Sequence, residues 1–288
     1  MDIKPGIYYD VPNSEYRNWP AFAQSGIRHI LRSPDHYVQN VKKPFEQTKA
    51  MALGSLIDCL VLEQDKFDSC FAIKPDTYIN SKEELKEFNA NSLVCKQIMK
   101  EIIESGKTII DKKQIDIAQN CVVKIAGHKT ANEIVQRSKK QVSLCWIDSD
   151  TGVLCKGRLD LLDKNTDISD LKSTIDASPT GFSRSIESFG YHIQGAFYSD
   201  GYAALTGNVQ LPYNIIAVET EAPFCVATYV IEPDTLLIGR CIYKKALKKY
   251  AECKKLNAWP GYSDFLEPID VPAWAIKKGL EDVEQSEF

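Results

Sequence analysis

The chain has 288 residues, of which 44% are hydrophobic and 26% are charged, and its formal net charge is −4. These values are typical of a globular protein, and the length suits one large domain or two small ones. The mildly negative charge excludes a globally basic surface for nucleic acid, but it leaves room for a local basic groove.

Cysteine usage and the N-terminus indicate the cellular compartment in which the protein is expected. The nine cysteines form no Cys-x-x-Cys pair, and their number is odd. This pattern favours free thiols in a reducing cytoplasm over disulfides, zinc or an iron–sulfur cluster. The N-terminus lacks the apolar segment of a secretory signal, and no window approaches the roughly 18 apolar residues of a membrane span. We therefore expect a cytoplasmic protein with no membrane partner.

Helices are the main elements predicted for residues 1–140. A first helix is predicted over 26–32 with Ser25 as its cap, and Ser33-Pro34 opens a second, because proline is tolerated at the first helical position. The strongest helical pattern spans Thr48–Glu63, where apolar residues recur with the helical period. Further amphipathic helices are predicted over 81–104, 111–127 and 130–138.

Alternating apolar residues predict strands after Lys140. Three consecutive strands are expected over 142–147, 154–162 and 167–173, with turns at 148–152 and 163–166. Two helices, two strands and a long helix are expected next, over 179–188, 191–205, 213–218, 225–231 and 233–256.

These elements predict one domain over 1–288, of the α/β or α+β class, in which a mixed central sheet is flanked by helices. A mainly helical portion (1–140) is expected to pack against the catalytic sheet and helices of 141–256. Residues 257–288 form a tail with proline and tryptophan residues and an acidic end.

The most informative motif lies in the second and third predicted strands. Asp160 belongs to one strand, and Asp170 and Lys172 are two residues apart in the next, so the last two share a face. Hard cations prefer oxygen ligands, so Asp160, Asp170 and the Leu171 carbonyl are expected to bind one or two Mg²⁺, with Mn²⁺ as a substitute. Lys172 would orient or help to deprotonate the water that attacks a phosphodiester. Ordinary strand-end aspartates are the alternative, because Asp-x-Lys pairs are common by chance.

A second motif lies in the predicted helix 191–205. Gln194, Tyr198 and Tyr202 are spaced by four residues and therefore share one helical face. This face would hold a DNA phosphate or orient Lys172. The alternative is a helix that buries its aromatic side chains in the core.

A third motif lies in the predicted helix 48–63. Asp58 follows Gly54 by one turn on a helix that is otherwise apolar. Its carboxylate either faces solvent or is a third metal ligand.

Together these motifs resemble the C-terminal nuclease domain of the RecE-type exonucleases (exodeoxyribonuclease VIII). That domain belongs to the PD-(D/E)xK superfamily, which also includes lambda exonuclease and the RecB-type nucleases. The resemblance extends over nearly the whole chain, through Gly6–Tyr16, Ser33–Tyr37, Leu53–Ser55, Val61–Glu63, Gly152–Asp160, Asp170–Thr174, His192–Tyr202, Trp259-Pro260 and Pro272–Trp274.

The resemblance implies a PD-(D/E)xK nuclease core and Mg²⁺-dependent, processive 5′-to-3′ digestion of linear double-stranded DNA. The exposed 3′ strand would pass to a single-strand annealing protein in phage-type recombination. The enzyme would be a homo-oligomeric ring, a trimer or tetramer, in the cytoplasm of a bacterium or of the bacterial host of a phage.

The resemblance also assigns residues. It implies catalytic roles for Asp160, Asp170, Lys172, Gln194 and Tyr198. The family usually has histidine at the position of Asp58, so the metal preference is expected to differ. Contacts to DNA are expected from Ser25, Arg28, Arg158, Ser173 and Thr174, the first two at a 5′-phosphate.

Two other functions suit the same residues. A PD-(D/E)xK endonuclease or nickase would use the same site with different access. A catalytically silent subunit that binds DNA ends or the annealing protein is the third possibility, but it would not need all three of Asp160, Asp170 and Lys172.

Overall fold

The computed structural model describes residues 3–43, 47–80, 82–163, 166–207 and 210–285, with the backbone alone at 279 and 281–285. Residue 81 of a predicted helix, residues 164 and 165 of a predicted turn and the last residues of the acidic tail lie outside this part. The helices are α1 (Asn13–Arg17), α2 (Gly26–Arg32), α3 (Pro34–Lys42), α4 (Lys49–Leu62), α5 (Phe67–Cys70), α6 (Leu93–Glu104), α7 (Lys112–Gly127), α8 (Lys129–Arg137), α9 (Pro179–Phe189), α10 (Tyr191–Thr206), α11 (Pro233–Leu256) and α12 (Ala273–Gln285). The strands are β1 (Gly6–Tyr8), β2 (Phe22–Ala23), β3 (Phe71–Ile73), β4 (Thr77–Ile79), β5 (Leu85–Glu87), β6 (Thr108–Ile110), β7 (Lys139–Ile147), β8 (Leu154–Asp163), β9 (Asp167–Thr174), β10 (Tyr213–Glu219) and β11 (Val226–Val230).

The main sheet is mixed and has the order β1-β7-β8-β9-β10-β11. Its neighbours are antiparallel except β9 and β10, which run parallel and are joined through α9 and α10. The short strand β2 pairs in parallel with the first part of β8, at Cys155 and Lys156. The predicted α/β class with a mixed sheet is confirmed.

Helices cover both faces of the sheet. On one face α2, α10 and α11 pack around a core that includes Ile215 and Ala217 of β10. On the other face α4, α7 and α8 pack around a core that includes Ile216 and Val218 of the same strand. Because strand side chains point alternately to the two faces, a strand buried on both sides carries an unbroken apolar run.

The helix predicted over 81–104 is wrong in its first half. Residues 85–87 form β5, which pairs with β4 in a hairpin, and α6 begins only at Leu93. The Asn80 side chain accepts hydrogen bonds from the backbone N–H groups of Lys82 and Glu84, at 2.8 and 3.0 Å. Such side-chain bonds compete with helical ones, and they favour a turn where the charge pattern favoured a helix.

Other differences concern short or terminal elements. The prediction contained neither β1 nor β2, although both strands join the main sheet from the portion expected to be helical. Ser25 lies at the start of α2, but its side chain makes no capping hydrogen bond, so its predicted capping role is wrong. Helix α12 in the tail was also not predicted.

None of the helices in the described ranges is both long enough and apolar enough to cross a membrane.

Candidate active site

The site lies where β8 and β9 stop pairing. The two strands are bonded only between Leu161–Asp163 and Asp167–Ser169. Beyond this ladder the Asp160 carboxylate connects the two strands, because its Oδ2 accepts a hydrogen bond from the backbone N–H of Leu171 at 3.1 Å. One carboxylate thus replaces a strand-to-strand hydrogen bond and holds the two strands around a polar site.

The alternation of faces breaks at Asp160. Leu159 packs in the core next to α10, whereas Leu161 packs in the core next to α4. Regular strand geometry would place residues two apart on the same face, so Asp160 sits in a local distortion. Opposite it in β7, Gln141 has a φ of +51°, and its Nε2 donates to Asp160 Oδ1 at 3.3 Å. Regular alternation of faces in β8 therefore holds only as far as Leu159.

Asp170 and Lys172 lie on the same face of β9, as predicted. Asp170 is only 2% exposed, and its Oδ1 accepts a hydrogen bond from Gln194 Nε2 at 3.0 Å. Its Oδ2 forms an ion pair with Lys172 and receives no hydrogen bond of ordinary geometry from the described residues. The Lys172 ammonium also lies 5.0 Å from the ring centroid of Tyr191.

Helix α10 supplies Gln194 and Tyr198. Gln194 contacts Asp170, so it orients a carboxylate and not the lysine as expected. Tyr198 packs against Gly157 of β8, where an added Cβ would lie 2.8 Å from two carbons of the ring. Glycine at this position therefore lets the helix approach the strand. Tyr198 and Tyr202 are both buried in the core, which is the alternative considered for the aromatic side chains of this helix.

Helix α4 brings Asp58 to the site. The helix crosses β9 so closely that a Cβ at Gly54 would lie 3.3 Å from Ser173 Oγ. One turn later, burial and the charge of Asp170 raise the pKa of Asp58 to about 7, although Lys172 lowers it. Asp58 therefore interacts with the site and does not simply face solvent, while its role as a metal ligand stays a prediction.

The pKa values of Asp160 and Lys172 are also raised. Burial raises the pKa of Asp160 well above its usual value, and the charges of Asp170 and Asp58 add to this effect. Burial lowers the pKa of Lys172, but Asp170 and Asp160 raise it more, so the net shift is upward. The lysine is therefore held as a cation, which favours an orienting and charge-offsetting role over proton abstraction.

The donor set suits a hard cation. Asp160 and Asp170 offer carboxylate oxygens, and the Asp170 Oδ2 atom, although ion-paired with Lys172, accepts no hydrogen bond of ordinary geometry from the described residues. The Leu171 carbonyl points to the same side of β9 as its N–H, towards Asp160. No group of three His, Cys, Asp or Glu side chains in the described ranges is arranged to hold a metal ion.

Two predicted DNA contacts lie at the start of α2. Ser25 and Arg28 are both exposed. The Arg28 guanidinium donates to the backbone oxygen of Glu187 at 3.4 Å and to that of Ser188, at the end of α9. It thus lies at the corner between α9 and α10, beside Tyr191.

Arg158 and Thr174, two of the other predicted DNA contacts, already make hydrogen bonds within the protein. Arg158 donates to Ser143 Oγ at 3.0 Å and to the Val11 backbone oxygen at 2.6 Å, and so anchors the N-terminal segment. Ser173 and Thr174 are half-buried at the end of β9. Thr174 Oγ1 accepts the Asp176 N–H at 3.3 Å. DNA binding by these three residues stays a prediction.

Three residues of the site escaped the sequence analysis. Gln141 contacts Asp160, Tyr191 underlies Lys172, and the buried hydroxyl of Tyr213 lies near Asp170, whose charge adds to the effect of burial in raising the pKa of Tyr213. The position of Tyr191, at the start of the helix that carries Gln194, was the sequence feature that could have indicated its role. The other two residues had no such feature.

Comparisons with known proteins agree with this architecture. Residues 23–271 match the family described as "PDDEXK-like domain of unknown function (DUF3799)". The crystal structure of a "Putative exonuclease" from Eubacterium rectale has a similar fold, with a TM-score of 0.55 and 18% identity over 91% of this chain and 97% of that chain. No curated protein matches the sequence. At this identity the structural likeness shows the fold alone.

Proposed function

The chain belongs to the PDDEXK-like family DUF3799, and on that premise we propose that it is a Mg²⁺-dependent exonuclease of linear double-stranded DNA. Family membership confirms the predicted PD-(D/E)xK superfamily, and the family and fold together support a nuclease. The RecE-type assignment stays a prediction. The observation that carries the proposal is the placement of Asp160, Asp170 and Lys172 at the point where β8 and β9 separate.

Each residue of this group has a chemical task. A bound Mg²⁺, with Mn²⁺ as a substitute, would polarise the scissile phosphate and lower the pKa of the attacking water. Asp160 and Asp170 would hold one or two such ions, and Gln194 keeps Asp170 oriented through its 3.0 Å hydrogen bond. Lys172, held as a cation, would orient the water and offset charge that develops on the phosphate oxygens.

The finer assignment rests on resemblance. The RecE-like motifs support 5′-to-3′ digestion that leaves a 3′ strand for a single-strand annealing protein, and a trimeric or tetrameric ring. The structurally similar protein from Eubacterium rectale is named a "Putative exonuclease", which supports proposing an exonuclease rather than an endonuclease.

The test is a time course on linear duplex labelled at either the 5′ or the 3′ ends, with a closed circle beside it. We expect Mg²⁺-dependent early release of the 5′ label, later release of the 3′ label and an intact circle. Lys172→Ala should lose this activity, whereas Lys100→Ala on the distant helix α6 should keep it.

Other outcomes select the other functions. Cutting of the closed circle would identify an endonuclease or nickase. Intact linear DNA with both Mg²⁺ and Mn²⁺, but with bound ends, would identify a silent end-binding subunit.

A further inference from the structure

Four aromatic rings stack in a column beside the candidate site. Tyr229 and Phe182 have centroids 5.4 Å apart at 10°, Phe182 and Tyr191 are 5.9 Å apart at 27°, and Tyr191 and Phe189 are 5.7 Å apart at 24°. Phe182 in the middle is 1% exposed, whereas Phe189 at the end is 61% exposed. The column therefore ends in an aromatic ring that is open to solvent.

The Phe189 ring is connected to the catalytic lysine through Tyr191. Tyr191 stacks on Phe189 and also lies 5.0 Å from the Lys172 ammonium. A nucleotide whose phosphate lies near Lys172 would therefore have its base within reach of Phe189.

The corner that carries Phe189 is rigidly built. Phe189 ends α9, and the chain turns into α10 through Gly190, whose φ of +71° favours glycine. Arg28 binds backbone oxygens of Glu187 and Ser188 at the same corner. An exposed ring thus lies at a corner that a cation also contacts, and single-stranded nucleic acid binds to aromatic rings combined with positive charge.

We propose that Phe189 is a stacking platform for an unpaired nucleobase of the strand that enters the site. This inference rests on the proposed nuclease function and adds a positioning residue to it. The ring would extend the aromatic column by one member and hold the nucleotide while Lys172 and the carboxylates act on its phosphate. The neighbouring charges of Arg28 and Lys172 favour a nucleotide over an uncharged occupant.

The direct test uses a single-stranded oligonucleotide that carries, near its 5′ end, a fluorescent adenine analogue whose emission is quenched by stacking. With Ca²⁺ in place of Mg²⁺, the wild-type protein should quench the analogue. Phe189→Ala should lose the quenching and raise the Kd about tenfold, because base stacking on an aromatic ring contributes about 1–3 kcal/mol. Phe189→Trp should restore both.

A kinetic readout separates positioning from general damage. In Phe189→Ala the KM for DNA should rise about tenfold while kcat changes less, and the thermal melting point should stay unchanged. Phe265→Ala, which removes a ring that is 85% exposed outside the column, should behave as wild type.

Three results are distinguishable. Unchanged quenching and KM in Phe189→Ala would overturn the platform while leaving the nuclease intact. A smaller sedimenting mass of Phe189→Ala with unchanged DNA binding would overturn it in favour of a protein contact. Quenching by a wild-type protein that digests no DNA with either metal would support the platform and remove the nuclease function.

Discussion

Two groups of aspartates differ sharply in how their charges are compensated. One group is Asp148 and Asp200, and the other is Asp58, Asp160 and Asp170 of the candidate site. Asp148, in the turn between β7 and β8, accepts hydrogen bonds from the Thr151 N–H at 3.1 Å and from Lys244 Nζ at 2.5 Å. On α10, Asp200 accepts two hydrogen bonds from Arg240, at 2.7 and 2.8 Å. Every one of these carboxylates has cationic and neutral donors.

The aspartates of the candidate site are less well satisfied. Asp58, Asp160 and Asp170 share the charge of Lys172, and burial raises the pKa values of Asp160 and Asp58. Burying a charge without full compensation costs stability, so such a group needs another reason to be there. The comparison indicates that aspartates with an arginine or lysine of their own stabilise the fold, whereas the three aspartates that share the charge of Lys172 serve chemistry.

The largest expected effect is the loss of activity when an aspartate of the candidate site is replaced. Asp160→Asn keeps the acceptor for the Leu171 N–H but removes the charge, and it should lower Mg²⁺-dependent digestion by about 10³-fold, since metal-assisted hydrolysis draws several kcal/mol from such charges. The metal-free melting temperature should stay the same or rise. A variant that keeps a tenth of the activity would remove Asp160 from the catalytic group.

Replacing Asp200, which is paired with Arg240, should lower stability and leave activity unchanged. Asp200→Asn keeps one acceptor oxygen but loses the second hydrogen bond from Arg240 and the ion pair, and it should lower the free energy of unfolding in urea by about 2 kcal/mol, because a hydrogen bond between charged groups contributes about that much. Activity per folded molecule should be unchanged. Loss of activity in a fully folded sample would show that the two groups are coupled.

The smallest expected effect is on the pH dependence of stability. The pKa of Asp58 is raised to about 7, so the folded protein binds a proton that the unfolded chain releases near pH 4. The contribution of protonated Asp58 to the metal-free protein is therefore complete below about pH 4 and is lost as the pH rises through 7.

Asp58→Asn should flatten this dependence. Thermal melting in the presence of a chelator, measured from about pH 5 to 8, should show a smaller fall in the variant than in the wild type. Ser55→Ala, on an exposed position of the same helix, serves as the control. Identical slopes in Asp58→Asn and wild type would mean that the carboxyl titrates normally.

Much of the secondary structure followed from local patterns. Apolar periodicity predicted β7, β8 and β9 and helices α4, α7 and α10, because each such pattern is contained in one segment. The hairpin before α6 was missed because Asn80 bonds its own neighbouring backbone, an effect that charge patterning does not report.

By itself, the sequence determined that Asp170 and Lys172 share a face and that Gln194 and Tyr198 share another, because both relations follow from the period of a single element. Only the tertiary structure decided that Gln194 binds Asp170, that the alternation breaks at Asp160, and that Phe189 ends an aromatic column. The Gln194–Asp170 hydrogen bond joins α10 to β9, and the column joins α9 and α10 to β11. Their geometry depends on how helices pack on both faces of the sheet, which no local pattern specifies.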